Sequence, residues 1–417
     1  MPFPIESESS RGSRGINRVI ALLALSLLIN YIDRGSLSIA APMLKDELGL
    51  SYAQLGLLLG SFFWTYAFFL LVSGWLVDRC NANWLLAIGF MLWSGATAVT
   101  GALHTFAALL AARLLLGIGE SVAYPSYSKI LVQHVPEVRR GFANAVIAAG
   151  LGCGPALGTF LGAMLMARYG WRSFFVALGM ISMAWLVPWF AWMPRGEAAA
   201  TETAASEKGK SGPRFIEILK QRSLWGTCGG LFGANYSLYF EITWLPFYLE
   251  RERHFSKITM GKIGGTGYLC FAAGAVLFGW ISDRWIAAGR SPSVVRKTFT
   301  GVGVGGAGVL LLGCALAGPR VSVVLLLLAF LCGGMSASNI WAMTQTIAGP
   351  KTAGRWTGFQ NFMGNLAGII APTLTGLAIS QTGQFLPSFL LMAAVALGGC
   401  LCFVCLVGPV KEIAWEG

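Results

Sequence analysis

Residues 74–79 have the sequence Gly-Trp-Leu-Val-Asp-Arg, and residues 279–284 have the sequence Gly-Trp-Ile-Ser-Asp-Arg. Each motif ends an apolar stretch of the length that a bilayer-spanning helix needs, about 20 residues. The second motif begins 205 residues after the first, which corresponds to six apolar stretches. A repeat of this period predicts two halves with equivalent structure.

The composition favours a membrane protein. Of the 417 residues, 55 % are hydrophobic and 12 % are charged, whereas a soluble domain carries about 25 % charged residues. So little charge excludes a water-soluble globule, and so much hydrophobicity excludes a disordered chain. The long unbroken apolar runs are also unlike the short alternating segments of a membrane β-barrel.

We therefore expect an all-α membrane protein with 12 transmembrane helices in two pseudo-symmetric six-helix bundles. Parallel halves of this kind are typical of secondary transporters that hold substrate between the halves. The predicted spans are 18–43, 52–77, 83–104, 106–133, 139–167, 172–193, 219–249, 260–285, 296–317, 321–347, 355–381 and 385–408.

The polar stretch 194–217 is predicted to be a linker between the bundles, because it is rich in Ala, Glu, Lys, Gly and Ser. The predicted division is a tail 1–17, a bundle 18–193, a bundle 218–408 and a tail 409–417. Lys and Arg are more than twice as frequent on the side of the two termini as on the other side, which predicts cytoplasmic termini. This placement also accounts for the net charge of +12 without nucleic acid. We expect a monomer in a bacterial inner membrane.

Three further stretches narrow the family. They are Asn30-Tyr31-Ile32-Asp33-Arg34, the span-four segment 113–120 (RLLLGIGE) and the span-eleven segment 360–365 (QNFMGN). With the repeated motif and the central linker, they resemble the major facilitator superfamily and, within it, the anion:cation symporter family. That family includes bacterial sugar-acid transporters of the galactonate and glucarate type and animal vesicular glutamate and sialic acid transporters. The resemblance implies proton-coupled transport of an organic anion.

Asp33, Glu120 and Glu241 are the acidic residues predicted to lie well inside spans. Charge at bilayer depth is costly, so each is a functional candidate, and we assign all three to proton coupling. Arg34 is assigned to the substrate, since a guanidinium offers a planar set of donors that matches a carboxylate. The resemblance implies the same division between Asp33 and Arg34. A structural ion pair is the alternative for these residues.

Glu241 departs from the family, whose members usually have an apolar residue there. Three interpretations stay open: a third proton site, a contact with a cationic or hydroxyl-rich part of the substrate, and an ion pair with Arg34 or Arg113. The vesicular members also have a second cavity arginine in span seven, which this chain lacks between Arg222 and Arg251. A dianionic substrate is therefore less favoured.

Neutral polar and aromatic side chains are expected to orient the rest of the substrate through their hydroxyl, amide and indole groups. We assign this role to Tyr31, Tyr66, Asn361, Gln360 and Trp244. For each of them, a hydrogen bond between helices is the alternative.

A second group is assigned to charge pairing and gating: Arg113, Asp78, Arg79, Asp283 and Arg284. In the two repeated motifs, the Asp is expected to accept from the start of a neighbouring helix, and the Arg to pair across the gate at the cytoplasmic side. Arg113 is seven residues from Glu120, about 10 Å along one helix face.

The sequence thus predicts a secondary transporter that imports an organic carboxylate, such as a sugar acid, together with protons by alternating access. One alternative is a proton-driven exporter of amphiphiles or drugs, since Gly141, Gly150, Gly154, Pro155 and Gly158 resemble an antiporter motif. The other is a membrane sensor that binds a ligand without moving it. No nucleotide, haem, metal or nucleophile motif occurs, so we expect no cofactor, no metal and no enzymatic activity.

Overall fold

The computed structural model describes residues 8–50, 52–193, 213–245, 248–249, 252–255 and 257–415. Most of the predicted linker, residues 194–212, lies outside these ranges. The first helix begins at Glu8, within the predicted N-terminal tail.

Helices account for nearly all of the described chain. The first half, here the N-half, contains α1 (Glu8–Leu48), α2 (Tyr52–Arg79), α3 (Ala82–Thr100), α4 (Phe106–Glu120), α5 (Ala123–His134), α6 (Glu137–Met183) and α7 (Leu186–Trp192). The second half, the C-half, contains α8 (Phe215–Leu219), α9 (Arg222–Thr243), α10 (Lys257–Ala287), α11 (Pro292–Leu316), α12 (Pro319–Asn365), α13 (Ala367–Thr382) and α14 (Leu386–Leu401), which ends in a π-helical turn at Cys402–Leu406.

Two glycines divide long helices into separate crossings. Gly170 in α6 has φ 81° and Gly349 in α12 has φ 61°, a region that residues with a Cβ rarely adopt. Pro350 follows Gly349 and removes a backbone donor at the same place. Each break therefore turns one continuous helix into two spans.

The described chain confirms the 12 predicted crossings. Ten helical stretches are long and apolar enough to cross a bilayer, and one of them, residues 319–379, contains two crossings separated at Gly349. The remaining crossing is α9, which is less apolar because it carries Asn235, Ser237, Tyr239 and Glu241. The chain is thus a multi-pass integral membrane protein.

We call the side that holds Arg79, Pro136 and Gly349 the tail side, and the opposite side the far side. The C-terminal residues lie on the tail side, where the Ile413 N–H donates to the carbonyl of Ile347 over 3.2 Å. The predicted C-terminal tail therefore packs against α12.

The two halves meet where α2 packs on α12 and where α10 packs on α6. The glycines of the repeated motif lie at these crossings. A Cβ on Gly74 would lie 2.7 Å from the carbonyl oxygen of Gly354, and a Cβ on Gly279 would lie 2.8 Å from that of Gly141. Glycine is needed at both positions because the backbones of opposite halves approach too closely for a side chain.

On the far side, Glu47 at the end of α1 ties down the turn within α6. Its carboxylate accepts from Trp171 Nε1 (2.6 Å) and Arg172 Nε (2.8 Å), and Arg172 also donates to the carbonyl of Leu103 (2.6 Å). The donors of Trp171 and Arg172 lower the pKa of the Glu47 carboxyl below its usual value. These hydrogen bonds connect α1, the loop after α3 and α6 at the far side of the N-half.

We predict that Gly74→Ala destabilises the protein, because its methyl group would collide with the backbone of Gly354. Overpacking of this kind costs about 1–3 kcal/mol, so the thermal unfolding midpoint in detergent should fall by a few degrees. Gly60→Ala is the matched control on the same helix, since nothing lies within 4 Å of a Cβ at Gly60. Equal midpoints for the two variants would contradict the close contact between α2 and α12.

Candidate functional site

A cavity lies between the two halves. Helices α1, α2, α5 and α6 line it from the N-half, and α9 to α12 line it from the C-half. The wall is rich in aromatic rings, namely those of Tyr31, Tyr66, Tyr124, Tyr239, Phe271 and Trp341. Among its described lining residues, Arg34 is the one basic side chain and Glu241 the one acidic side chain.

Arg34 is held by an acidic residue and three rings. Its Nε lies 2.7 Å from Glu120 Oε2. Its guanidinium carbon lies 4.9 Å from the ring centre of Tyr31, 5.0 Å from that of Phe62 and 4.5 Å from that of Tyr66. The bond to Glu120 engages Nε, Tyr66 lies within hydrogen-bonding reach of the guanidinium, and Arg34 also lines the cavity. Its side chain is 15 % exposed.

Asp33 points away from the cavity into the N-half. It is 1 % exposed, and neither of its carboxylate oxygens has a well-formed hydrogen bond within the described residues, although Thr97 lies close by as a donor. Arg113 and Glu120 are the charged residues that interact with it electrostatically. A buried carboxylate with so few donors is costly as an anion.

The interior behind Arg34 contains further polar atoms without a well-formed hydrogen bond among the described residues. They are Nδ2 and Oδ1 of Asn30, Nε of Arg113 and Oε1 of Glu120, and of these Asn30 and Glu120 lie close to one another. Native interiors pair more than nine in ten such groups. A cluster of exceptions beside two acidic residues and two arginines is typical of a functional site rather than of a structural core.

Glu241 reaches the same cavity from the C-half, near the end of α9. It forms no ion pair with Arg34 or Arg113: the carboxylate that pairs with Arg34 is that of Glu120. No described residue forms a salt bridge or hydrogen bond with Glu241. The structure therefore does not show the ion pair that was one of the three interpretations made from the sequence. The proton site and the contact with the substrate stay open.

A chain of side-chain hydrogen bonds joins the two halves along the cavity wall. Tyr239 Oη donates to Asn365 Oδ1 (2.7 Å), and Asn365 Nδ2 donates to Asn361 Oδ1 (2.9 Å). Asn361 Nδ2 then lies 3.5 Å from Tyr66 Oη, in the N-half. Tyr66 in turn lies against Arg34. The chain therefore connects the basic group of one half with two helices of the other.

Two of the residues assigned to the substrate from the sequence lie elsewhere. Gln360 is buried and accepts from Thr344 over 2.8 Å, outside the lining of the cavity. Trp244 donates from its indole nitrogen to the carbonyl of Pro372, and its ring packs near Phe385. Both side chains thus face neighbouring helices. Tyr31, Tyr66 and Asn361 do line the cavity.

The tail side of the cavity is closed by two equivalent contacts, which we call the tail-side gate. Asp78 of α2 accepts from the backbone N–H groups of Gly354 (2.8 Å) and Arg355 (3.0 Å) in the C-half. Asp283 of α10 accepts from those of Gly141 (3.0 Å) and Phe142 (2.6 Å) in the N-half. Each repeated motif thus binds the start of a helix in the other half.

The basic partners of the gate differ from those expected. Arg79 and Arg284 are exposed and lie over the rings of Trp75 and Trp280 on their own helices. The expectation that these two arginines pair across the gate is therefore wrong. The basic partners are Arg355, whose Nε lies 2.8 Å from Asp78, and Arg296, whose Nη2 lies 2.5 Å from Asp283. Arg79 is the last residue of α2 and Arg284 lies in the last turn of α10, and both side chains point outward.

Next to the gate, Asn144 of α6 and Gln345 of α12 exchange two amide hydrogen bonds of 2.8 and 3.0 Å. Lys129 of α5 donates to the carbonyl of Pro350 and lies 3.7 Å from Asp78. The contacts of Asn144 with Gln345 and of Lys129 with Pro350 join opposite halves, whereas Lys129 and Asp78 both belong to the N-half. Sequence reasoning missed Arg355, Arg296 and Asn144, although each is a polar residue at the start of a predicted span.

Comparison with known proteins decides the family. The model of the Major Facilitator Superfamily matches residues 23–372. The chain belongs to this superfamily. It is 31 % identical over 405 residues to the hexuronate transporter of Bacillus subtilis, with 94 % of each chain covered. It is 28 % identical to the probable galactarate/D-glucarate transporter GudP of the same organism, over 95 % of this chain and 92 % of the relative.

The proton:xylose symporter XylE has the same fold, with a TM-score of 0.80 over 96 % of this chain and 97 % of that chain, at 15 % identity. This likeness concerns the fold alone. The family match and the relatives, which are named as transporters, show that this chain is a membrane transporter of the superfamily and not an enzyme.

For this transporter we predict that Asp78→Asn and Asp283→Asn each loosen the tail-side gate. A hydrogen bond to a charged group contributes about 1.5–3 kcal/mol, so a buried site behind the gate should open at least about tenfold more often. A cysteine at the buried Thr346, in a background without the nine native cysteines, reports this opening through its rate of labelling by a water-soluble maleimide. Asp46→Asn, at an exposed acid on α1, is the control. An unchanged labelling rate in both gate variants would rule out this role.

Proposed function

We propose that the protein imports an organic carboxylate together with protons, by alternating access of the cavity to the two sides of the membrane. The observation that carries this proposal is the position of Arg34. A guanidinium in a low-dielectric cavity that presents its outer edge to the ligand is suited to a carboxylate. The names of the hexuronate and galactarate/D-glucarate transporters support an organic acid as the substrate.

Protons enter the proposal through the charge balance behind Arg34. Asp33, Glu120, Arg34 and Arg113 are ionisable groups within one buried region, and their charges cancel when all are ionised. A bound carboxylate adds a negative charge that the closed cavity can tolerate only with a compensating proton. Asp33 and Glu120 are the groups that we assign to this proton, because both are buried beside the arginines and lack hydrogen-bond donors for some of their oxygens.

Glu120 also gives a route by which substrate and proton influence each other. Its carboxylate holds Arg34 Nε at 2.7 Å. A proton on Glu120 weakens that ion pair and leaves the guanidinium available for the substrate carboxylate. Proton binding and anion binding then favour one another through a shared arginine.

The bundles 18–193 and 218–408 are the proposed moving units, joined by the linker 194–217. The tail side is placed in the cytoplasm of a bacterial cell, on the basis of the excess of Lys and Arg there. With the tail-side gate closed, the cavity is in the part of the cycle that receives substrate from the far side. Transport then requires both aspartates of the gate to release the opposite half.

The glycine pattern of span five, which resembles an antiporter motif, has a packing role here. A Cβ on Gly150 would lie 3.0 Å from the carbonyl of Ala24, and one on Gly154 would lie 2.6 Å from Cβ of Tyr31. These glycines let α6 approach α1, the helix that carries Arg34. Close packing is sufficient to explain the pattern, so drug export is not favoured by it.

We predict that Arg34→Ala abolishes binding and uptake of organic acids, because no other basic side chain lines the described cavity. Uptake into proteoliposomes with an inward proton gradient should fall to the level of empty vesicles for a panel of hexuronates, aldonates and simple monocarboxylates. Arg18→Ala is the control on the same helix, since Arg18 is exposed and lies over Trp192. Retained affinity in Arg34→Ala would remove this residue from the site.

Asp33→Asn is predicted to keep substrate binding and exchange but to lose accumulation driven by the proton gradient. Asparagine has the shape of a protonated aspartate and cannot release a proton. The ratio of internal to external substrate should therefore fall to about one, while exchange of labelled for unlabelled substrate continues. Asp46→Asn, also on α1 but exposed, should accumulate substrate as the wild type does. Normal accumulation by Asp33→Asn would show that the proton is carried elsewhere.

A further inference from the structure

The cavity carries one charge of each sign, on opposite halves. Arg34 belongs to α1 of the N-half, and Glu241 belongs to α9 of the C-half. Arg34 has its own counter-charge in Glu120 and still lines the cavity. Glu241 has no such counter-charge among the described residues. The charge of Arg34 is therefore neutralised by a residue of the protein, whereas the charge of Glu241 is not.

Among the described residues, no cation forms an ion pair with Glu241. Its electrostatic neighbours include Tyr268 of α10 and Cys314 of α11, both neutral. The nearby Arg253 donates instead to the carbonyls of Cys314 and Ala315. Arg34, across the cavity, is paired with Glu120. A carboxylate in a low-dielectric cavity without a counter-charge is costly. Compensation must come from a proton or from a positive group on the ligand.

The neutral polar groups of the cavity wall help to decide between a proton and a positive group of the ligand as the partner of Glu241. Asn361 and Asn365 bond to each other and to the tyrosines on either side. The hydroxyl of Ser336 donates to the carbonyl of Gly333 (2.8 Å), and that of Ser237 to the carbonyl of Gly233 (3.5 Å). Among the lining amides of the described chain, Asn235 is left without such a bond. Most of these neutral groups thus already have hydrogen bonds within the protein, whereas Arg34 and Glu241 each bring a charge to the cavity that a ligand can contact.

The aromatic lining points in the same direction. Tyr31, Tyr239, Phe271 and Trp341 line the same cavity as the two charged groups. Faces of aromatic rings attract an ammonium group as well as the carbon skeleton of a ligand. The ring faces do not attract a second carboxylate, because their electrostatic potential is negative.

We infer that the preferred substrate is a zwitterion, an organic acid that also carries an ammonium group, with its carboxylate on Arg34 and its ammonium on Glu241. The inference rests on the proposed function, since it takes the carboxylate site at Arg34 as given. Glu241 then determines specificity: it selects acids with an amine and disfavours the plain anion, which would meet a second negative charge. The substrate ammonium replaces the proton that Glu241 would otherwise need.

The test compares acids that differ only in the amine. Two matched pairs are glucosaminate with gluconate, and 4-(aminomethyl)benzoate with 4-methylbenzoate. Dissociation constants are obtained from the ligand-dependent rise of the thermal unfolding midpoint of the purified protein. In at least one pair, the wild type should bind the amine-bearing acid at least about tenfold more tightly. Glu241→Gln should bind both members of that pair about equally, and Glu241→Asp should keep part of the preference.

Two controls keep the result interpretable. Glu252→Gln removes an exposed carboxylate of the same half and should leave the preference unchanged. Retained binding of the plain acid by Glu241→Gln shows that this variant is folded, and Glu241→Asp replaces it in the comparison if it is not.

Three outcomes would overturn the inference. The plain acid is bound as well as its amine-bearing partner in both pairs, or Glu241→Gln keeps the preference. In the third, the amine-bearing acid itself binds the wild type better in acid and Glu241→Gln loses this pH dependence, which would make Glu241 a proton site even with an ammonium group present. In each of these the proposed function stands if plain acids are still accumulated with protons. If neither kind of acid binds, the proposed function itself fails, and this inference fails with it.

Discussion

Two aspartates hold the halves of this transporter together at one side of the membrane. Asp78 and Asp283 each accept two backbone N–H groups from a helix of the opposite half. Within hydrocarbon, few other contacts are directional, since apolar helix surfaces have no preference for one another over lipid. The closed state therefore depends on a few polar bonds between opposite halves. Because these bonds are few, the same surface can separate when the cavity has to open towards the tail side.

The glycines of the repeated motif make these bonds possible. Gly74 and Gly279 bring the backbones of opposite halves so close that a methyl group would collide with a carbonyl oxygen. Each aspartate follows its glycine by one helical turn and so reaches the start of the facing helix. Arg355 and Arg296 then offset the aspartate charges, which would otherwise be costly in a buried position. One short motif thus provides close approach, hydrogen bonding and a charge that must be neutralised.

The sequence predicted the fold well because its signals were long or repeated. Apolar stretches of about 20 residues identify spans, and the motif at 74–79 and 279–284 relates the halves. The acceptor role of Asp78 and Asp283 also followed from their position at helix ends. The roles of Arg79 and Arg284 did not follow, because adjacent residues on a helix point about 100° apart and only the structure shows which one faces the other half.

The cavity was harder to predict for the same geometric reason. Gln360 and Asn361 are neighbours in one motif, yet Asn361 lines the cavity, whereas Gln360 is buried against Thr344. Trp244 lies one turn beyond Phe240 and turns towards Pro372. A motif identifies the span, whereas the rotation of that span about its axis decides which of its residues a ligand can reach. Tertiary packing sets that rotation, and a single sequence carries little information about it.

Arg34 joins the two tasks that the proposed symport must combine. Its guanidinium is bound to Glu120 through Nε, and the same side chain lines the cavity. A group with two separate donor edges can bind a substrate and an internal carboxylate at once, as a lysine with its single point charge cannot do in a fixed geometry. The aromatic rings around it restrict the orientation of the guanidinium plane. Under the proposed function, coupling therefore requires a held arginine more than a strongly acidic or basic one, and the tyrosines that hold it are as much a part of the proposed mechanism as the charges.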